Sequence, residues 1–339
     1  ALAFCVSTLQ KTYLLKSDAD VLGSAFEVMI NPSMKGDKGQ YFTPRHVIDL
    51  AISVLDPKED ETIFDPTCGS GGFLVSAMDH VFKKIRSERD SESEILENQK
   101  DYASNNVFGM DFDPIIAKVA KAYMLIWGDG RSNICIGDGL NDANWSDDTR
   151  AKFQVKDDNG KRVFRKFDII ATNPPFAGDI SADDTLQKYE LAYKNTNGKN
   201  KKINKVSRDI LFVERCINSL SPKGRMAIVL PRGILKNYND ERVRRFILKH
   251  AKIRAVVSLS GEMFKPFTNT KTCLLFVERR EVELKNIADA VDDSDVLYAV
   301  TQLSGKNRSG NLVRDKSGQI VSDLPEISDF LKKNISWGA

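Results

Sequence analysis

The sequence is poor in the residues that build metal centres and disulfide frameworks. Its 339 residues include five cysteines, at 5, 68, 135, 216 and 273, and three histidines, His46, His80 and His250. No CxxC pair and no Cys/His cluster occurs among them, so no metal site is expected, and a reducing, cytoplasmic setting fits. None of the histidines falls in a nucleophile or metal-ligand pattern, and all three read as structural or surface residues. No apolar run approaches the roughly 18 residues a membrane helix needs, so no membrane partner is expected. The opening ALAFCVSTL lacks the basic start of a secretory signal. Neither a GxxxxGK[ST] phosphate loop nor a GxGxxG spacing is present, which argues against DNA translocation by this chain and against a pyrophosphate cradle. Charge of one sign is lacking too: 50 Lys and Arg stand against 47 Asp and Glu. That balance does not by itself announce nucleic acid.

What is present is alternation. Short apolar runs at 62–65, 107–111, 134–137, 167–172, 225–231, 253–258 and 273–278 read as strands. Helical patterns at 72–85, 114–127, 209–220 and 239–250 fall between them. Such alternation predicts a doubly wound α/β sheet, mostly parallel. The last two runs are joined by the loop GEMFKPFTNTKT with no helix, too short for a parallel crossover. One antiparallel strand among seven is therefore expected. Three regions follow: a helical lead-in over 1–39, the α/β domain over 40–280, and a polar, weakly patterned extension over 281–339. Asn159-Gly160, between alternating residues, predicts a hairpin within 146–166. The charged stretch KKIRSERDSESEILENQKDY reads as a solvated insertion. Residues 185–208 carry seven Lys and Arg against the single acid Glu190, and read as an arm for phosphates or a partner protein.

The run Ile63-Phe64-Asp65-Pro66-Thr67-Cys68-Gly69-Ser70-Gly71-Gly72 is a strand entering a glycine turn and then a helix, where open α/β sheets bind ligands. Asp65 ends the first strand, where a carboxylate faces a cationic amine or sulfonium. Asp111 ends the second and suits ribose hydroxyls, with Phe112 beside it for an adenine ring. Asp138 ends the third and suits an adenine amine. Any one of them serves equally as a helix N-cap. Three at one edge suit a ligand that is part amino acid, part nucleoside, and free of phosphate.

Asn173-Pro174-Pro175-Phe176 leaves the carboxyl end of the fourth strand. The exocyclic amine of adenine is a poor nucleophile because its lone pair is delocalised into the ring. The Asn173 side-chain oxygen and the Pro174 carbonyl supply two acceptors for its N–H groups, preorganised by consecutive prolines. Phe176 offers a stacking face for a base flipped out of its duplex. The plain alternative is a stiff loop with no chemical role.

The series DPTCGSGGFL, GMDFDP, GDGL and FDIIATNPPF, with KGDKGQYFTPRHVIDL upstream, resembles the N6-adenine DNA methyltransferases that serve as modification (M) subunits of type I restriction-modification systems. The likeness covers roughly residues 20–280. It implies a Rossmann-like fold of seven strands with one antiparallel, and S-adenosylmethionine as methyl donor. It assigns Gln40, Tyr41, Phe42, Thr43, Pro44 and Arg45 to the cofactor pocket, together with Asp65, Ser70, Gly71, Gly72, Asp111 and Asp138. Asn173, Pro174, Pro175 and Phe176 become the catalytic loop, and Phe264 or Phe267 a second stacking residue. The implied partners are duplex DNA, a separate DNA-specificity subunit and a restriction subunit that translocates and cleaves. The family's helical N-terminal region is larger than the lead-in here, so a truncated chain is expected; about 60 residues follow the last core strand, too few for a target-recognition domain, which points to specificity supplied by a separate subunit. Two alternatives remain: a fragment of a single-chain restriction-methyltransferase fusion, and a protein glutamine N5-methyltransferase, whose loop carries Tyr after the prolines.

Overall fold

The computed structural model describes residues 43–127, 133–196, 199–293 and 295–338. The lead-in 1–39 and the residues Gln40, Tyr41 and Phe42 lie outside the described residues.

Eight strands form the central sheet: β1 (Ile63–Asp65), β2 (Val107–Asp111), β3 (Asn133–Ile136), β4 (Phe167–Thr172), β5 (Leu220–Pro231), β6 (Ala251–Ser258), β7 (Thr272–Arg279) and β8 (Leu297–Val300). Their order across the sheet is β8-β6-β7-β5-β4-β1-β2-β3. Only β7 runs against its neighbours, pairing antiparallel with both β5 and β6, as the short sixth-to-seventh connection requires. Strand alternation splits the interior into two apolar layers. Ile63, Ile169, Ala227 and Leu274 point into one, while Phe64, Ile170, Ile228 and Leu275 point into the other. Both faces are covered, which is why these strands read as unbroken apolar runs.

The helices are α1 (Arg45–Leu55), α2 (Gly72–Glu88), α3 (Glu92–Asn106), α4 (Pro114–Ile126), α5 (Asp147–Phe153), α6 (Arg208–Ser219), α7 (Glu241–His250) and α8 (Leu324–Asn334). From β1 the chain winds outward through β2 and β3, then returns to place β4 on the other side of β1. The loops leaving β1 and β4 therefore diverge, opening a crevice at the carboxyl ends of the strands.

Two segments differ from the sequence reading. The charged stretch expected to be a solvated insertion runs from the end of α2 into α3, a helix capped by Ser91 and seated on the core through Tyr102 and Ala103. Only Gln99, Tyr102 and Ala103 of its 15 residues are buried, and Gln99 is polar, which left too little apolar periodicity to read. The extension beyond 280 adds β8 to the sheet, parallel to β6, so seven strands become eight. It also supplies α8, which packs on α1, and Trp337, whose indole donates to the Val54 carbonyl at 3.1 Å. The buried side of α8 is Leu324, Ser328 and Leu331, and the polar middle member hid its period. The hairpin is present, pairing Gln154–Lys156 with Arg162–Phe164, with Gly160 at φ +75° in its turn. No described helix is long and apolar enough to cross a membrane.

If the extension is integral to the fold, Leu331→Ala should cost about 2–5 kcal/mol in denaturant unfolding, because the side chain is fully buried. A change below about 0.5 kcal/mol, as at ordinary surface sites, would mean that α8 contributes nothing to the core.

Candidate active site

β1 runs into the glycine turn with Gly69 at φ +54° and Gly71 at φ +89°, a backbone that residues with a Cβ rarely adopt. At Gly72 the first helical residue lies so close to α1 that a Cβ would sit 2.8 Å from the Ile48 Cδ1. The turn, α2 and the amino end of α1 are thus packed as one unit.

The three aspartates each hold backbone as well as facing the crevice edge. Asp65 is 1 % exposed; its Oδ1 accepts from the Thr172 hydroxyl at 2.6 Å and from the Thr67 amide at 3.0 Å. Burial pushes its carboxyl up to about 7, although both hydrogen bonds oppose that shift. Asp111 accepts from the Gly69 amide at 3.0 Å and the Asp113 amide at 2.9 Å, so the second strand braces the glycine turn. Burial raises its pKa too. The N-cap of α4 is Asp113, not Asp111. Phe112, between them, is 73 % exposed, an aromatic face turned to solvent beside the turn. Asp138 is half-buried and accepts from the Leu140 amide at 2.8 Å. Ser70 is half-buried in the turn.

Asn173 leaves β4 next to Asp65 through Thr172. Its Nδ2 donates to the Thr43 hydroxyl at 2.9 Å, while its Oδ1 is buried with no hydrogen-bond partner. A buried acceptor left unmatched costs free energy. Pro174 is buried behind it. Phe176 is half-buried and meets Phe264 edge-to-face, with ring centroids 6.1 Å apart. Phe264 is 1 % exposed and backs Phe176; Phe267 is the more open of the two. Pro44 precedes α1, and Arg45 pairs with Asp49 at 3.1 Å, one turn further along that helix.

After the loop, Asp179–Ile180 pairs antiparallel with Val206–Ser207, closing the root of the basic segment. Within it, Tyr193–Thr196 and Lys199–Lys202 form a hairpin. Glu214 of α6 accepts from the Glu190 and Leu191 amides, both at 2.7 Å, and Tyr189 donates to the Leu140 carbonyl at 2.7 Å. Lys194, Lys201 and Lys205 are exposed on this anchored arm. Glu214 gave no sequence signal, since a Glu in an amphipathic helix reads as solvent-facing. The Thr43–Asn173 contact was equally invisible, because 130 residues separate its partners.

The three histidines lie elsewhere. His46 sits 2.9 Å from the Met263 sulfur, and burial together with Lys306 pushes it down to about 4, so it is neutral. His80 contacts Asp56, and His250 is buried against Phe246. Among the described residues no cluster of three His, Cys, Asp or Glu side chains is arranged to hold a metal ion.

Comparison with known proteins places the chain in a family. The N-6 DNA Methylase family matches residues 17–320, and the chain belongs to it. The EcoEI methylase subunit, a type I restriction enzyme subunit from Escherichia coli, is 28% identical over 247 residues, covering 71% of this chain and 42% of that protein. The type II restriction enzyme and methyltransferase RM.BcgI from Heyndrickxia coagulans is 23% identical over 252 residues, covering 73% of this chain and 33% of that protein. Among solved structures, a type I restriction-modification methyltransferase subunit from Streptococcus thermophilus shares the fold. It superposes with a TM-score of 0.63 at 19% identity, covering 97% of this chain and 60% of that one. The chain spans half or less of the length of these two sequence relatives.

The raised Asp65 pKa has a pH signature. Its ordinary value is 3.8 and its buried value about 7, so its contribution to stability is fully present below about pH 4 and is lost as pH rises towards 7. Asp65→Asn keeps an acceptor for Thr172 and Thr67 but cannot ionise. Its stability relative to the wild type should improve by more than about 1 kcal/mol between those limits. Parallel unfolding curves across that range would show that Asp65 is not buried as described.

Proposed function

We propose that the chain carries the methyl-transfer site of a type I modification subunit, methylating the N6 amine of an adenine flipped out of duplex DNA. The observation that carries this reading is the unpartnered Asn173 Oδ1, held buried at the carboxyl end of β4.

The donor set around the glycine turn fits S-adenosylmethionine. The turn from Pro66 to Gly72 has no Lys or Arg that would meet a phosphate, and three carboxylates border it. A Cβ built on Gly69 would meet open space, so a ligand reaches this backbone without obstruction. Asp65, Asp111 and Asp138, with Ser70, Gly71, Gly72 and the exposed Phe112, would hold the amino acid, ribose and adenine parts. The stretch Gln40, Tyr41, Phe42, Thr43, Pro44 and Arg45 would close the pocket. When bound, the cofactor supplies an electrophilic methyl group on a sulfonium.

The protein's task is the amine. Asn173 Oδ1 and the Pro174 carbonyl accept its two N–H bonds, which localises the nitrogen lone pair and aims it for in-line attack. The two prolines keep these acceptors in place before the base arrives, so little reorganisation accompanies the reaction. Phe176 carries the base on its face and is itself braced by Phe264. A stacked base cannot reach this loop, so the adenine must leave the duplex. The arm of exposed lysines following the loop is placed to neutralise phosphates. The sequence choice would rest with a separate specificity subunit, and cleavage with a restriction subunit. The likeness to RM.BcgI supports a second arrangement, in which the same site belongs to a single-chain restriction-methyltransferase. The length of the complete open reading frame decides between them.

Asn173→Ala should lower methyl transfer to DNA by at least about a hundredfold while changing cofactor affinity less than threefold. Activity within tenfold of wild type would remove the amine-holding role. Lys194→Gln with Lys201→Gln should weaken DNA binding at every sequence and flatten the salt dependence by roughly one to two units of log–log slope. An unchanged slope would place the arm away from phosphates.

A further inference from the structure

We propose that Thr43 is a positioning residue that fixes which end of the Asn173 amide meets the target amine; this rests on the reading of the site given above. The two ends of a carboxamide are nearly equal in size and opposite in chemistry, one accepting and the other donating. Adenine N6 brings two N–H donors and, with its lone pair drawn into the ring, no acceptor. Only the amide orientation with Oδ1 towards the base is productive; the other sets donor against donor. Prolines at 174 and 175 restrain the backbone but leave rotation of the Asn173 side chain free. The Thr43 hydroxyl supplies the missing restraint by accepting from Nδ2 at 2.9 Å, which leaves Oδ1 as the orphan acceptor.

The hydroxyl is itself held rigidly. Thr43 precedes Pro44, the residue that leads into α1 at φ −55° and ψ 136°. Helix α1 is locked by fully buried Val47 and Ala51 and by Ile48 against Gly72 of the glycine turn. His46, one residue into α1, touches Met263 in the loop that carries Phe264. The amide that follows β4 is therefore oriented by the residue that leads into a packed helix, and the same helix braces the turn and the ring behind Phe176. Thr43 was expected only as a lining residue of the cofactor pocket; its hydrogen bond gives it a task in the chemistry of the other substrate.

The test uses Thr43→Val, which keeps the shape and removes the hydroxyl, and Thr43→Ser, which restores it. In the 15N spectrum of the cofactor-free protein, the Asn173 side-chain amide is identified by its disappearance in Asn173→Ala. Its hydrogens should exchange with water several-fold faster in Thr43→Val than in the wild type, and return to the wild-type rate in Thr43→Ser. In labelled-methyl transfer to unmodified genomic DNA, Thr43→Val should lose at least about tenfold in kcat with KM for DNA within about twofold. Thr43→Ser should recover most of that loss, and the thermal midpoint should be unchanged in both. Equal amide exchange and equal kcat in Thr43→Val would overturn the proposal while leaving the methyltransferase reading intact. Absence of transfer by the wild type, with the amide effect present, would instead overturn that reading.

Discussion

Asp65 and Thr172 join the carboxyl ends of β1 and β4 by a 2.6 Å hydrogen bond inside the protein, and the rest of the site is arranged around it. The bond lies at the point where the winding of the sheet reverses, so it links the two loops that the topology drives apart. On one side it fixes the glycine turn through Thr67; on the other it fixes the residue that precedes Asn173. The Thr67 and Thr172 hydroxyls are 2.8 Å apart, extending the network across both strands. The cost is a carboxyl held in an environment that resists its ionisation, a form of local disfavour common where a site must be preorganised.

A second constraint comes from outside the sheet. Helix α1 touches the glycine turn and the loop behind Phe176, Thr43 just before it holds the Asn173 amide, and α8 returns from the far end of the chain to cover it. Residues 43–55 and 324–337 therefore act together on a site assembled mainly from residues 65–176. This explains how an extension with little apolar pattern contributes to the core. Its few inward side chains, and an indole bonded to the Val54 carbonyl, fall on the element that positions the crevice.

The sheet was legible in the sequence because its strands are buried on both faces and so read as continuous apolar runs, and because the loop between β6 and β7 is too short for a crossover. Asn173 and the glycine turn were legible for a different reason: their residue types solve a chemical problem at a recognisable place, the end of a strand. What the sequence concealed were cooperative contacts between distant segments. The Tyr102 anchor of α3 was diluted among charges, Ser328 interrupted the buried side of α8, and Glu214 looked like a surface carboxylate although it holds two backbone amides of the basic arm. Thr43 was legible as a member of a motif, but its bond to Asn173 was not.

The orphan acceptor of Asn173 is proposed to receive the amine of an adenine. Nucleoside analysis of duplex DNA, incubated with the protein, its neighbouring gene products and methyl-labelled S-adenosylmethionine, tests it most directly. Label is expected in N6-methyladenine alone. Label in a methylated cytosine, or in protein with none in DNA, would contradict it.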